Sequence, residues 1–239
     1  NLPSNGVIHI HIDHNGDVWF STFNGPAYYK EGRVERIMQS ERTESMFYYT
    51  EQDSSSRYWF GTNTGLYLFR KPEFDTHTTE LERTLSFRLY TTKQGLIANE
   101  LNAGASLIAS DGSMWLGTVE GLSRFFPDRI QKNRVPPGLE FEEILMSGTP
   151  VQSNEKPGFK HDQNFLQARF IGLTYEAPEQ IIYEYRLRGY NSWQITKENT
   201  VNYPALPSGD YRLEVRAYNA DGTRSTNTAS FGFEIFPPF

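Results

Sequence analysis

The chain has 239 residues, of which 15% are aromatic, and its 29 acidic and 23 basic side chains give a formal net charge of −6 at pH 7. Without a basic patch to neutralise phosphates, nucleic acid is not an expected partner. The sequence contains no run of about 18 apolar residues, so it predicts no transmembrane segment within this chain. The absence of cysteine excludes disulfides and thiolate metal sites. The length is enough for one large domain or two ordinary ones.

A short phrase occurs three times in the first half of the chain. In each copy a tryptophan begins the phrase, a threonine ends it, and a glycine follows three residues after the threonine. The copies are Trp19-Phe20-Ser21-Thr22 with Gly25, Trp59-Phe60-Gly61-Thr62 with Gly65, and Trp115-Leu116-Gly117-Thr118 with Gly121. Such a repeat is one supersecondary unit that cannot bury its apolar face alone, so neighbouring copies must stack.

The first copy predicts four short antiparallel strands, at residues 7–12, 18–22, 27–30 and 34–38. Its first turn contains Asn15-Gly16, a pair that adopts positive φ at little cost and is typical of hairpins. Four short strands per unit, repeated around an axis, form a blade of a β-propeller. We therefore predict an all-β fold that begins with about three four-stranded blades.

The spacing of the copies predicts an insertion between the second and the third. Trp19 and Trp59 are 40 residues apart, a usual blade length, whereas Trp59 and Trp115 are 56 apart. The polar stretch 71–83 would supply the extra residues as a functional or mobile loop. Because the three tryptophans occupy one position of the repeat, we predict that they pack between neighbouring blades rather than stack on a ligand.

Further phrases surround the repeats. Leu2-Pro3-Ser4-Asn5 precedes the first copy, residues 94–99 repeat this opening before the third, and the third copy closes on Phe125-Phe126-Pro127. Together with the repeats they resemble the two-component regulator propeller, whose last blade typically ends on a Phe-x-Pro phrase before the next domain. The first copy has Ser21 and Pro26 where that family usually has Gly and Leu, which predicts an irregular second turn.

Three blades are fewer than the four to eight that close a propeller ring. We expect residues 1–133 to be the C-terminal part of a larger propeller, although several chains completing one ring together is the alternative. An open stack would expose an aromatic-bearing blade face, which predicts association with other copies or with partners.

A proline-rich linker at 133–138 separates a second predicted domain, residues 134–239. Seven stretches of strand character in about 100 residues indicate an immunoglobulin- or fibronectin-III-like sandwich. Residues 206–211 indicate a tyrosine corner, in which the Tyr211 hydroxyl would bind backbone at the turn between the sheets. The predicted strands are 139–146, 164–174, 180–187, 192–196, 200–203, 209–219 and 229–236.

This half resembles the Y_Y_Y domain, which follows the regulator propeller in many bacterial sensor proteins. In that family the closing Pro-Pro-Phe phrase lies just outside a transmembrane helix, so the resemblance implies that the chain stops at the membrane edge. The residues that carry the resemblance are Tyr183, Tyr185, Gly189, Trp193, Tyr203, Leu206, Gly209, Tyr211, Val215, Ala217, Asn219, Gly222 and residues 235–239.

The first predicted strand carries His9 and His11, with Asp13 on the same face and His14 beside it. Two imidazoles and a carboxylate could ligate zinc or another divalent ion. The alternative is a polar channel wall, because the corresponding residues of the third copy are Ala105, Leu107 and Ala109. We therefore assign no metal ligand and leave this question open.

Motifs of catalysis are absent: no nucleophile elbow, zinc-protease helix or phosphate loop occurs. Glu142 and Glu143 are adjacent in a strand and are expected to point to opposite faces, so they could not act as an acid–base pair. No catalytic, cofactor-binding or ligand-binding residue is assigned. Four tyrosines either contact a ligand or divide between core and surface, and the sequence does not decide between these roles: Tyr28, Tyr29, Tyr48 and Tyr49.

The resemblance implies that this is the periplasmic, ligand-sensing region of a bacterial two-component sensor, either a histidine kinase or a hybrid protein, with no catalysis in this segment. It also implies a small-molecule ligand, for example an oligosaccharide, and a homodimer formed through the sandwich. The alternative is a propeller-based carbohydrate-active enzyme, a lyase or hydrolase with an accessory sandwich. That enzyme would require acidic or histidine residues converging at one mouth of the ring.

Overall fold

The computed structural model describes residues 1–37, 45–70, 79–152 and 156–238. These residues confirm the predicted all-β class, with five sheets that are antiparallel except for one two-residue parallel pair. The chain forms two compact units, Asn1–Lys132 and Asn133–Phe239. Each unit is described by itself.

The first unit consists of three sheets, each formed by strands that follow one another in the chain. The first two have four strands each, which confirms the predicted blade pattern. The strands are β1 Val7–Ile12, β2 Val18–Thr22, β3 Gly25–Lys30 and β4 Arg33–Arg36 in the first sheet; β5 Phe47–Gln52, β6 Tyr58–Thr62, β7 Leu66–Phe69 and β8 Phe87–Tyr90 in the second; and β9 Leu101–Ile108, β10 Met114–Thr118 and β11 Gly121–Phe125 in the third.

The third sheet has three strands among the described residues, one fewer than the blade pattern predicts. After β11 the chain enters a 3₁₀ turn at Pro127–Arg129 instead of a fourth strand. Proline has no amide hydrogen to give to a strand ladder and fixes φ at a value that suits the first position of such a turn. The chain then continues without regular structure to Gly138.

The insertion between β7 and β8 is partly helical rather than a loop throughout. Residues 71–78 of the predicted insertion lie outside the described part of the chain, and α1 occupies Glu80–Leu85. Thr79 begins the helix, because its hydroxyl accepts the Glu82 amide hydrogen while the Glu82 carboxylate accepts the Thr79 amide hydrogen. This reciprocal capping box accounts for a short helix in a polar segment.

The threonine and glycine of each copy form the same tight turn between the second and third strands of a sheet. Thr22 donates its hydroxyl to the Gly25 carbonyl at 2.7 Å, and Thr62 does the same to Gly65 at 2.7 Å. Gly25 adopts a φ of 116°, a value that glycine reaches without a steric cost. The second turn of the first copy is therefore regular, and the irregularity predicted from Ser21 and Pro26 was wrong.

Two apolar clusters hold the three sheets together. The first lies between the first and second sheets, and the second lies between the second and third sheets, so the sheets stack face to face as predicted from the repeats. The first cluster is Trp19, Tyr28, Ile37, Phe47, Tyr58, Phe60 and Phe69. The second is Tyr49, Trp59, Leu66, Leu68, Leu101, Met114 and Leu116.

The second unit is a sandwich of two sheets, with strand orders β13-β12-β15-β18 and β14-β20-β19-β16-β17. All seven predicted strands are present. Two further pairs of residues, β13 and β14, are too short to show a period of two in the sequence. The strands are β12 Gly138–Met146, β13 Thr149–Pro150, β14 Gly158–Phe159, β15 Leu166–Leu173, β16 Ile182–Arg188, β17 Gln194–Thr196, β18 Thr200–Tyr203, β19 Gly209–Tyr218 and β20 Ala229–Ile235.

The predicted tyrosine corner is present where the chain passes from β18 in one sheet to β19 in the other. The Tyr211 hydroxyl donates to the Pro207 carbonyl at 2.8 Å, which satisfies a backbone acceptor in the crossing segment. Along β19, Tyr211, Leu213 and Val215 point into a core that both sheets share. The sandwich therefore has a closed core of its own.

Candidate functional site

A buried carboxylate supports the tryptophan of each of the first two copies. Asp13 accepts the Trp19 indole hydrogen at 2.9 Å, and Asp53 accepts the Trp59 indole hydrogen at 2.8 Å. Both aspartates lie six residues before their tryptophan, at the turn between the first two strands. The sequence interpretation missed this role, although the repeated Asp-x5-Trp spacing could have revealed it.

Asp13 links the first two sheets as well as supporting its own turn. Its Oδ2 accepts the Tyr58 hydroxyl of β6 at 2.6 Å, and its Oδ1 accepts the amide hydrogens of Asn15 and Asp17. Burial by itself would raise the pKa of Asp13, but the hydrogen bonds from Tyr58, Trp19 and the two amides outweigh burial and hold that pKa below its usual value. Asp13 thus acts as a structural anion between two sheets.

The third copy replaces this carboxylate with a hydroxyl. Ala109 occupies the position of Asp13, since its amide hydrogen binds the Ser113 carbonyl as that of Asp13 binds the Asp17 carbonyl. The Trp115 indole donates instead to the Ser113 hydroxyl at 2.9 Å. Trp115 is half-buried, whereas Trp19 and Trp59 have no exposed surface.

The two ends of the stack carry uncovered apolar faces. On the first sheet, Ile10 is paired with Phe20 and Ile12 with Val18, and these side chains face away from the second sheet. Ile10 is 59% exposed and Ile12 66% exposed. On the third sheet, the exposed Leu107 is paired with the half-buried Trp115 on the face opposite the second sheet.

These faces match the interfaces inside the stack. Phe60 occupies the position of Phe20 and is completely buried by the first sheet, while Phe20 is only half-buried. Among the described residues, no sheet therefore covers the Phe20 side of the first sheet or the Trp115 side of the third, whereas neighbouring sheets cover the equivalent Phe60 and Trp59. We call the Phe20 side of the first sheet and the Trp115 side of the third sheet the open blade faces.

The first strands of the three sheets lie closest together, as expected for strands nearest the axis of a fan of blades. They bear a row of polar side chains that includes His9, His11, Glu51 and Ser106. Ser106 donates its hydroxyl to Glu51 at 2.6 Å, which joins β9 to β5. Burial lowers the pKa of His11, although the Glu51 carboxylate opposes this effect.

Two polar atoms near this row are buried and unpaired in the described chain: His11 Nε2 and Gln52 Nε2. The side-chain oxygen of Gln52, Oε1, accepts the backbone amide hydrogen of His14 at 2.7 Å. This bond holds the side-chain amide group of Gln52 at the boundary of the first two sheets. Buried polar groups are usually paired. This inner row is therefore the candidate contact surface for a small polar ligand in the first unit.

The residues considered as metal ligands, His9, His11 and Asp13, are only partly available to an ion. The Asp13 carboxylate is engaged by four donors, and His9 Nδ1 accepts the Thr50 amide hydrogen at 3.3 Å. Over the described ranges, no group of three or more His, Asp or Glu side chains is placed to hold a metal ion.

The pair Tyr28 and Tyr29 divides between core and surface, whereas Tyr48 and Tyr49 both pack against the second apolar cluster. Tyr28 is buried against Trp19 and Tyr29 is exposed, while Tyr49 is completely buried and its neighbour Tyr48 is half-buried. The division of the first pair follows from alternation along β3, whereas a register shift between Phe47 and Tyr49 interrupts alternation in β5. Tyr29 is the most accessible of the four residues.

The expectation that Glu142 and Glu143 point to opposite faces was wrong. A β-bulge between Phe141 and Glu143 interrupts the alternation of β12. Both carboxylates consequently reach Arg169, at 3.0 Å and 3.3 Å from its guanidinium nitrogens. The two residues form an exposed ion-pair cluster on the sandwich.

The outer face of β16 and β19 bears a network of charges around Trp193 that the sequence did not reveal. The guanidinium groups of Arg186 and Arg216 lie over the Trp193 ring, at 4.5 Å and 4.1 Å from its centroid. Glu214 accepts hydrogen bonds from Arg186 at 2.6 Å and Arg188 at 2.9 Å. Burial would raise the pKa of Glu214, but the two arginines lower it overall.

Comparisons with known proteins agree with both halves of the sequence interpretation. The two component regulator propeller family matches residues 1–24, and the Y_Y_Y domain matches residues 174–236. Residues 1–24 are thus similar to a regulator propeller repeat, and residues 174–236 are similar to a Y_Y_Y domain. The resemblance inferred from the sequence is thereby confirmed.

Among curated proteins, a histidine kinase of Formosa agariphila is 23% identical over 201 residues. Among solved structures, the extracellular domain of a hybrid two-component system from B. thetaiotaomicron superposes with a TM-score of 0.68 at 21% identity and covers 98% of this chain. The chain spans 14% of the length of that kinase and 32% of that domain. This likeness shows that the chain and that extracellular domain share a fold. Among the residues that the structure describes, no helix is long and apolar enough to cross a membrane.

Proposed function

We propose that this chain is part of the ligand-sensing extracytoplasmic region of a bacterial two-component sensor, a histidine kinase or a hybrid protein. The observation that carries the proposal is the order of the two family matches, propeller repeat first and Y_Y_Y domain second. The similarity to a histidine kinase and to an extracellular hybrid-system domain supports the same assignment. In this proposal the segment itself is not catalytic and is located in the periplasm.

The architecture of the second unit suits the transmission of a change in orientation. β19 and β20 are adjacent and run from the loop 219–228 to the segment around Phe236, so one rigid pair of strands joins the two ends of the sandwich. Seven paired residues of about 3.3 Å each give a lever of roughly 23 Å. A ligand can bias such a device only if it binds two orientations with different affinity.

The proposed ligand is a small molecule, for example an oligosaccharide, and the proposed assembly is a homodimer formed through the sandwich. The inner polar row offers donors and acceptors of the kind that hydroxyl groups use, including His9, Glu51 and Ser106. The open blade faces support a larger propeller around this row, because their interior equivalents are completely buried.

The test is autophosphorylation of the full-length protein in membrane vesicles, with a panel of purified oligosaccharides added to the side that carries this chain. We expect one class of glycan to change the rate of phosphate incorporation from labelled ATP. The same glycan should bind the isolated extracytoplasmic region in calorimetry without being cleaved.

The enzyme alternative makes the opposite prediction. If incubation of the extracytoplasmic region with the panel releases shortened or unsaturated sugars, the segment is a lyase or hydrolase. A full-length protein that incorporates no phosphate under any condition would also contradict the sensor assignment.

A further inference from the structure

The segment that opens the second unit is held by side chains of a distant loop. Asn219 donates its amide hydrogens to the carbonyls of Asn133 at 3.1 Å and Val135 at 3.0 Å. Thr223 donates its hydroxyl to the Asn133 carbonyl at 2.7 Å. These residues are more than 80 positions apart in the chain, so the contacts are tertiary.

A fourth hydrogen bond completes the arrangement. The Asp221 carboxylate accepts the Asn133 amide hydrogen at 2.9 Å, so both backbone groups of Asn133 are engaged. Asn219 is 1% exposed and Asp221 is 2% exposed. Hydrogen bonds that are shielded from water and involve a charged acceptor are among the stronger ones in proteins.

Hydrogen bonds within the loop 219–223 hold it in the conformation that makes this contact. The side-chain oxygen of Asn219, Oδ1, accepts the amide hydrogens of Asp221 at 3.0 Å and Thr223 at 2.9 Å. Gly222 adopts a φ of 77°, which closes the turn. Each polar end of the Asn219 side chain therefore has a separate role: the oxygen shapes the loop and the nitrogen binds the segment.

The composition of the segment makes such a support necessary. Pro136 and Pro137 have no amide hydrogen, so residues 133–138 cannot be held by an ordinary strand ladder over their whole length. Further along, Asn227 donates to the Leu139 carbonyl at 2.8 Å, which extends the support to the start of β12.

We propose that Asn219, Asp221 and Thr223 form a junction clamp, a site that fixes the direction in which the chain enters the sandwich. The clamp makes the proline-rich segment a rigid part of the second unit instead of a free linker. Ile130 packs against the second apolar cluster of the first unit, so the free chain between that contact and the clamp is limited to residues 131–132. The proposal does not depend on the nature of the ligand or on phosphotransfer.

The clamp can be tested by measuring how widely the two units move. The chain contains no cysteine, so spin labels can be attached at Arg33→Cys and Lys197→Cys, two exposed positions in different units. Pulsed electron resonance then gives the distribution of the distance between them. We expect Asn219→Ala to broaden this distribution about twofold, as a short flexible linker would.

The matched control is Asn191→Ala. Asn191 resembles Asn219 because its oxygen accepts the Leu187 amide hydrogen and its nitrogen donates to the Tyr203 hydroxyl, but neither partner belongs to the junction. This variant should weaken the sandwich and leave the width of the distance distribution equal to that of the parent protein. Thr223→Val removes one donor at constant volume and serves if Asn219→Ala fails to fold.

The outcomes separate the two interpretations. The clamp is supported if Asn219→Ala or Thr223→Val has a broader distribution than the parent protein while near-ultraviolet circular dichroism shows a folded sandwich. The Asn191→Ala control must keep the width of the parent protein. An unchanged width in Thr223→Val and in any folded Asn219→Ala, or equal broadening in Asn191→Ala, overturns it. Neither result bears on the sensor assignment, which phosphorylation tests separately.

Discussion

The interior and the ends of the blade stack present the same repeat position in two environments. Trp59 has no exposed surface and packs against Phe125 at a ring separation of 5.2 Å. Trp115 occupies the same position of the phrase but is only half-buried, with the Arg124 guanidinium 4.8 Å from its ring. The difference shows that burial of this tryptophan is supplied by the next sheet and not by its own.

The same contrast holds at the other end of the stack. Phe60 and Leu116 are completely buried, whereas Phe20 at the equivalent position is half-buried because no sheet covers its side. A repeat protein gains its stability from contacts between neighbouring units, so the interior interfaces are expected to carry most of the stability of the first unit.

The largest expected effect on stability comes from replacing a tryptophan of the repeat by alanine. Trp59→Ala should lower the free energy of unfolding of the first unit by about 3–5 kcal/mol, because it leaves a cavity between two sheets. Trp115→Ala should cost about 1–2 kcal/mol, since its ring is already half in water. Chemical denaturation followed by tryptophan fluorescence measures both values. Equal losses would contradict the assignment of interior and end positions.

The carboxylate between the first two sheets should show the next largest effect. Asp13→Asn is expected to cost about 2–4 kcal/mol, since the two donors of Trp19 and Tyr58 lose a charged acceptor. Because the folded pKa of Asp13 lies below the unfolded value of 3.8, its contribution is present above that pH and disappears as pH falls through the folded pKa.

Asp111→Asn is the control for this measurement, because Asp111 lies in the corresponding turn of the third copy and is exposed. Its substitution should leave unfolding of the first unit nearly unchanged at pH 7. A loss as large as that of Asp13→Asn would show that the interface between sheets is not the cause.

The open blade faces should govern association rather than stability. Ile12→Lys and Leu107→Lys place charges on the two uncovered faces and should reduce any concentration-dependent association of the chain, with unfolding changed by less than about 1 kcal/mol. Sedimentation velocity over a range of concentrations measures this effect. Association that persists in the double variant would exclude these faces as its cause.

The smallest effect concerns the inner polar row. The folded pKa of His11 lies below the unfolded value of 6.5, so protonation favours the unfolded chain. The first unit should therefore lose stability as pH falls from about 7 through the folded pKa, and His11→Gln should lose less. The exposed His14→Gln should retain the slope of the parent protein, and an identical slope in all three proteins would contradict the role of burial at His11.

Much of the fold was readable from local patterns. The repeated Trp-to-Gly phrase predicted the sheets because turn chemistry is local: a threonine hydroxyl and a glycine at positive φ need only four residues. The tyrosine corner was predicted for a similar reason, since the Tyr211 hydroxyl and the Pro207 carbonyl that it binds are only four residues apart. Where alternation failed, at Glu142 and Glu143, a bulge had shifted the register, and such a shift depends on the partner strand β15.

The candidate site shows where local patterns stop. The sequence placed His9, His11 and Asp13 on one face, but it could not show that Tyr58 binds the Asp13 carboxylate, because that contact joins residues 45 positions apart. The sequence could not reveal the clamp formed by Asn219, Asp221 and Thr223 either, because its partners lie at the start of the second unit, more than 80 positions earlier in the chain.

The amino-acid sequence by itself determined which segments form strands, where they turn, and which families the two halves resemble, because backbone preferences and alternation act between near neighbours. The tertiary structure decided which tryptophans are covered, which carboxylates are occupied and how the junction segment is held. Those properties depend on surfaces brought together from distant parts of the chain, where packing and desolvation act on all partners at once.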